Sequence, residues 1–188
     1  MTNGRVDTKD WIPNPSNAHV LKIYDPEIAN FEDKVKLFQS GGRGEVEFLR
    51  FRLRHGLYGQ RQPDAQMICV KLPFGGVTAD QMDVLGEMAE MYAPLKKKDF
   101  TIRENVQYHH VPLADTTDLL RNLGDAGMST REACGNVVRN VVAAPTVGVS
   151  KDEAFAVTPY AAADARYFLR HPTTQNMPRK SKVSFSGS

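Results

Sequence analysis

The chain has 188 residues, with 24 Lys and Arg against 22 Asp and Glu, a net charge of +2, and 41% hydrophobic residues. That balance excludes a disordered chain, which lacks the apolar surface to offset its ordering entropy, and a strongly polyanion-binding protein on bulk charge, while leaving room for a local basic patch. No stretch approaches the roughly 18 apolar residues of a membrane span, Met1 to Asp10 has no apolar signal core, and Cys69 and Cys134 alone exclude a disulfide-stapled scaffold and any four-thiolate site supplied by this chain.

The stretch through Ser40 reads as an arm, in which Asn14-Pro15-Ser16-Asn17 is loop chemistry and Pro26 opens a short helix through Phe38. Gly41-Gly42-Arg43-Gly44 breaks the pattern. Gln66 to Leu72 is short, apolar and rich in strand formers, so it predicts a strand, followed by the turn Pro73-Phe74-Gly75-Gly76. Thr78 and Gln81 have capping-box spacing, and Met82, Leu85, Ala89 and Tyr92 then fall on one helical face until Pro94. Phe100 to Arg103 and Val106 to Val111 predict two strands joined through Glu104-Asn105. Asp115 is placed to cap a second helix carrying Leu119, Leu120, Leu123 and Ala126, with Gly127 as its stop. Val137 to Val142 predicts a fourth strand ending before Pro145.

The order strand, helix, strand, strand, helix, strand is the split βαβ, ferredoxin-like arrangement, an α+β fold with two helices on one sheet face and the other face open. After Pro145 the pattern restarts: Thr158-Pro159 opens a helix through about Arg170, and Val183 to Phe185 begins a strand with no obvious partner. The expected organisation is an N-terminal arm over 1–43, a half-domain over 44–145, and the opening of a further domain over 146–188.

Basic residues cluster. Arg50, Arg52 and Arg54 alternate with Phe51 and Leu53, so an extended backbone would put three guanidiniums on one face. Arg103 lies just across a short connection from Gln107 and His109, which share one strand face. Arg139 sits inside the apolar run Val137-Val138-Arg139-Asn140-Val141-Val142, where a charge is costly to bury unpaired. Lys180 and Lys182 share one face of an extended segment, with no acid near in sequence. Each cluster also has a plain reading as a solvated surface or basic terminus. His55, His110 and His171 lack metal-ligand spacing and read as surface or turn histidines, and Cys69 and Cys134 read as small buried residues.

Several of these stretches together resemble one family, the sirohaem and 4Fe–4S nitrite/sulfite reductases. They are Arg52-Leu53-Arg54-His55-Gly56-Leu57-Tyr58-Gly59-Gln60-Arg61-Gln62, Lys71-Leu72-Pro73-Phe74-Gly75-Gly76, and Thr101-Ile102-Arg103-Glu104-Asn105-Val106-Gln107-Tyr108-His109. Glu132-Ala133-Cys134-Gly135-Asn136-Val137-Val138-Arg139-Asn140-Val141 and Asn176-Met177-Pro178-Arg179-Lys180-Ser181-Lys182 complete the set. The match runs in register from about Glu47 to the end of the chain.

The resemblance implies the N-terminal part of an oxidoreductase that reduces nitrite to ammonia or sulfite to sulfide by six electrons. It implies sirohaem and a 4Fe–4S cluster as cofactors, with the cluster ligands in a missing C-terminal half, and ferredoxin or a similar protein as electron donor. By carry-over, Arg139, Lys180 and Lys182 match catalytic cations of the substrate pocket, while Arg103, Gln107, His109 and Asn140 match sirohaem-contacting positions. The family usually has an arginine where this sequence has Cys69; Lys71 is placed to compensate if its stem reaches the pocket. A half without its sister is expected to expose an apolar sheet edge or face and to self-associate in place of the missing half. The setting expected is cytoplasmic, with no membrane and no nucleic acid. An RNA-binding module shares the element order, although Asn105 to Val111 lacks that module's aromatic signature. An inactive structural or regulatory remnant is the other alternative.

Overall fold

The computed structural model describes residues 25–187. α1 (Asp25–Gln39) and α2 (Glu45–Arg54) come first. α1 forms where Pro26 was expected to open a helix, and its Phe31 and Val35, one turn apart, are buried in the main core. This part of the expected arm therefore packs onto the body.

The extended stretch expected through Arg50, Arg52 and Arg54 is instead helical. Phe48 and Phe51, three positions apart, are both buried, and the Phe38 ring stacks on Phe48 with centroids 4.2 Å apart. Glu45 and Glu47 in the first turn and Arg52 and Arg54 in the last complement the helix dipole. The alternation seen in sequence was compatible with a strand, but burial of the phenylalanines selects the helical period.

β1 (Leu57–Gly59), β2 (Ala65–Val70), β3 (Lys98–Phe100) and β4 (Val106–Pro112) form an antiparallel sheet in the order β1-β2-β4-β3. α3 (Ala79–Tyr92) and α4 (Thr116–Asp125) contribute Leu85, Met88, Leu119 and Leu123 to a core shared with Ile68, Val70, Val106 and Tyr108. Tyr108 Oη donates to Leu85 O at 2.9 Å, so the one polar atom of that buried ring is satisfied.

α3 begins with the expected capping box: Gln81 N donates to Thr78 Oγ1, and Thr78 N donates to Gln81 Oε1, each at 3.2 Å. Thr78→Ala is expected to cost about 1 kcal/mol in a urea titration; an unchanged midpoint would show that the cap is dispensable. Asp115 stands at the start of α4 but its side chain makes no capping bond, and Thr116 Oγ1 donates instead to Leu113 O at 2.7 Å.

The fold is ferredoxin-like, yet the fourth strand is not where the sequence placed it. β1 fills that position from the N-terminal side. The 137–144 run is extended, but it pairs in parallel with 181–185, through Arg139 N to Ser181 O (3.0 Å), Ser181 N to Val137 O (3.1 Å) and the short strands β5 (Val142–Ala143) and β6 (Ser184–Phe185). Val183 to Phe185 thus has a partner within the chain. α5 (Thr158–Phe168) packs Ala161 and Ala165 against Val141.

Gly56 joins α2 to β1 at φ +85°, with Thr130 O overlapping, and Cys69 O 3.0 Å from, the place where a Cβ would stand. Only glycine fits both the conformation and the space. At the opposite sheet edge, Phe100 and Ile102 are exposed, Ile102 completely. Among the described residues, no helix is long and apolar enough to cross a membrane.

A candidate anion-binding cleft

Strand alternation divides the sheet residues. Ile68, Val70, Val106 and Tyr108 face the helices. Tyr58, Met67, Cys69, Lys71, Gln107 and His109 belong to the other face. The segment after Met128 folds over this second face, packing Ala133 and Cys134 against Cys69, with Tyr58, Met67 and Leu53 beside them. The face expected to be open is therefore partly covered.

Beside that cover lies a cleft of about 680 Å³. Arg50, Arg54, Arg139, Arg179 and Lys180 line it, together with Tyr58, Asn136, Gln175 and Asn176, and among the described residues no carboxylate does. Arg50 and Arg54 reach it together because they stand one turn apart on α2. Arg52 points elsewhere and donates to Gln66 Oε1 at 3.0 Å.

Arg139 is fixed from three sides. Its Nε donates to Gly135 O (2.9 Å), Nη1 to Ala133 O (2.6 Å) and Nη2 to Tyr58 Oη (3.0 Å). None of these acceptors is a carboxylate, so the positive charge is held in place without being neutralised, and N–H donors are left over for an anion.

Of the residues singled out in sequence, the structure brings Arg139 and Lys180 into this cleft. Lys182 is exposed and does not line it. Arg103 and Asn140 meet at a separate junction. There Arg103 Nη1 donates to Ser184 Oγ (3.1 Å) and Nη2 to Asn140 O (2.7 Å) and Val183 O (2.9 Å), while Asn140 Nδ2 donates to Leu72 O (2.5 Å) and Arg103 O (3.2 Å). Gln107 Nε2 donates to Cys69 Sγ at 3.3 Å, and His109 lies between Asp99 Oδ2 and Gln60 Nε2, each at 3.3 Å.

Lys71 does not stand in for the arginine replaced by Cys69. Its ammonium is completely buried without a hydrogen-bond partner among the described residues, 3.9 Å from Glu132 Oε2. Burial is the main cause that lowers its pKa to about 8 from 10.5, against the pull of Glu132. Glu132, at the uncommon φ of +61°, accepts from Arg170 N (2.7 Å) and Gln175 Nε2 (2.6 Å) on Oε1, while Oε2 accepts no hydrogen bond. The pair joins the cover over the second face to the residue that follows β2.

His55 is buried rather than exposed. Nδ1 lies 3.0 Å from Phe51 O and Nε2 lies 3.1 Å from Arg131 Nη1, which fixes a neutral ring with its proton on Nδ1. Burial, reinforced by Arg131, lowers its pKa to about 4. Sequence reasoning missed Arg179, the helical pairing of Arg50 with Arg54, and the Lys71–Glu132 contact. Only the four-residue spacing of Arg50 and Arg54 offered a local signal.

An antiparallel split-βαβ sheet covered by helices on one face, with a cationic cleft beside it, defines an α+β protein of the ferredoxin-like class. A family model for the nitrite/sulfite reductase ferredoxin-like half domain matches residues 58–126. A sulfite reductase (ferredoxin) of Mycobacterium tuberculosis is 32% identical over 121 residues, covering 64% of this chain and 22% of that protein. Sulfite reductase (ferredoxin) 1 of Mycolicibacterium paratuberculosis is 32% identical over 192 residues, covering 92% of this chain and 34% of that one. The chloroplastic ferredoxin–nitrite reductase of Oryza sativa is 32% identical over 139 residues, covering 71% and 23%. The solved structure of the Mycobacterium tuberculosis NirA protein superposes with a TM-score of 0.70 at 26% identity, over 86% of this chain and 34% of that chain. The chain belongs to the nitrite/sulfite reductase family and carries its ferredoxin-like half domain. It spans between 22% and 34% of the length of these relatives.

Proposed function

We propose that this chain supplies the cationic wall of a sirohaem-dependent reductase acting on nitrite or sulfite, with ferredoxin or a similar protein as electron donor. The observation that carries the reading is the cleft, in which Arg50, Arg54, Arg139, Arg179 and Lys180 converge and no carboxylate intrudes. A macrocycle bearing several carboxylates fits that donor set, because each acid meets a guanidinium or ammonium that has no competing counter-ion in the cleft. Sirohaem, when bound, supplies the iron at which the oxyanion is reduced.

The chain's own residues orient and neutralise. Arg139, clamped to Gly135, Ala133 and Tyr58, presents a charge that needs no rearrangement when an anion arrives. The exposed Lys180 adds an ammonium that can both pair with an anion and give up a proton. Arg103 and Asn140 act as positioning residues, because they hold the segment that leads back from Ser184 to Lys180. Gln107 acts through Cys69. A 4Fe–4S cluster does not fit this chain. Its two cysteines are buried together, and among the described residues no three His, Cys, Asp or Glu converge. The reading places the cluster on further protein, and the exposed Phe100 and Ile102 support a contact of the β3 edge with it.

The test is titration of the full chain with sirohaem, followed by absorbance. Arg139→Met is expected to weaken binding by about tenfold to a hundredfold, the worth of charge-assisted hydrogen bonds. Arg54→Glu with Lys180→Glu is expected to abolish it. Equal binding by the wild type and the double charge reversal would sink the reading.

A further inference from the structure

We propose that Cys69 and Cys134 are a dithiol redox site that closes to an intramolecular disulfide next to the cationic cleft. They are the chain's only cysteines. One lies on β2 and the other in the segment that covers the sheet, yet they share one small buried cluster with Ala133 and remain unbridged. The two thiols are close enough for each to shift the other's proton affinity.

The two sulfurs have different surroundings. Cys69 Sγ accepts from Gln107 Nε2 at 3.3 Å, with the Arg139 charge nearby. Donors and positive charge favour a thiolate. The neighbouring Cys134 side chain is the main cause that lowers the Cys69 pKa, whereas burial holds the Cys134 thiol well above its usual value. That asymmetry assigns Cys69 as the attacking thiolate and Cys134 as the resolving thiol. Cys69 is 3% exposed and Cys134 is fully buried, so the oxidant must be small.

With hydrogen peroxide, the Cys69 thiolate attacks one oxygen, the O–O bond breaks, hydroxide leaves, and Cys69 becomes a sulfenic acid. The Cys134 sulfur then attacks the Cys69 sulfur. The S–O bond breaks, water leaves carrying the Cys134 proton, and the S–S bond forms. Peroxide gains the two electrons that the thiols lose. The site stands on the geometry of the pair and does not require the reductase reading.

The full chain is treated with peroxide, unfolded in urea with iodoacetamide, and weighed intact. The expected product takes up no alkyl group, is lighter than the reduced chain by two hydrogens, and regains both thiols with dithiothreitol. Its digest is expected to join the peptides of Cys69 and Cys134. Cys134→Ser is expected to stop at a dimedone-reactive sulfenic acid, and Cys69→Ser to react about tenfold more slowly or less. Three results would each overturn the proposal. These are two alkylatable thiols retained at a peroxide level that oxidises the urea-unfolded chain, bridging only between chains, or a mass loss that dithiothreitol does not reverse. The wild-type measurement decides without the variants, so a variant that fails to fold does not blunt it.

Discussion

Glu132→Gln is expected to lower the stability of the folded chain by about 3–5 kcal/mol, because it strips the Lys71 ammonium of the one carboxylate within 4 Å among the described residues while leaving it fully buried. Adding Lys71→Met to that variant is expected to restore much of the loss, since the costly group is the orphaned charge. A urea titration of the two single variants and the double variant checks both statements, and a wild-type midpoint in Glu132→Gln would refute them. The same pair predicts an alkaline signature in the wild type. The folded-state pKa of Lys71 is depressed to about 8 while the unfolded value is 10.5, so between these the unfolded chain binds more protons. Stability contributed by this group therefore rises with pH across that window.

The second large effect is at acid pH. His55 is held neutral between Phe51 O and Arg131, with its pKa lowered from 6.5 to about 4. Below 6.5 the unfolded chain takes up a proton that the folded chain refuses. Its contribution is thus fully present above 6.5 and lost as pH falls towards 4, by up to about 3 kcal/mol. His55→Gln keeps a donor for Phe51 O and an acceptor for Arg131 without titrating, so its stability is expected to vary less over the same range. Urea midpoints measured at both ends of the window give the comparison, and equal slopes for the two proteins would reject the assignment.

What the sequence made legible was local chemistry. The Thr78–Gln81 box, the α3 and α4 faces and the β4 strand follow from spacings within a single turn or strand. Arg139 stood out because a charge in an apolar run demands an answer, and the answer proved local as well, in the carbonyls of Gly135 and Ala133. Long-range choices were hidden. The 137–142 run is apolar and extended in either topology, and nothing in it says that its neighbour is 181–185 rather than the main sheet. Arg50, Arg52 and Arg54 alternate as a strand would, and only the burial of Phe48 and Phe51 decides for a helix. Lys71 and Glu132 lie far apart in the chain, and no spacing rule links them. The family resemblance supplied the match of Arg139 and Lys180, but it could not show that Lys182 would stand outside the cleft.

Arg103 works as a buckle between the β3–β4 hairpin and the parallel ladder, its guanidinium wrapped by Asn140 O, Val183 O and Ser184 Oγ. Anyone dissecting the polypeptide into autonomous pieces inherits a constraint from it. A fragment trimmed near residue 145 would discard the tongue of that buckle and bare one flank of the 137–144 run, whose amides and carbonyls would then seek partners in other molecules. Recombinant pieces that keep residues through 185 should clump less than shorter ones.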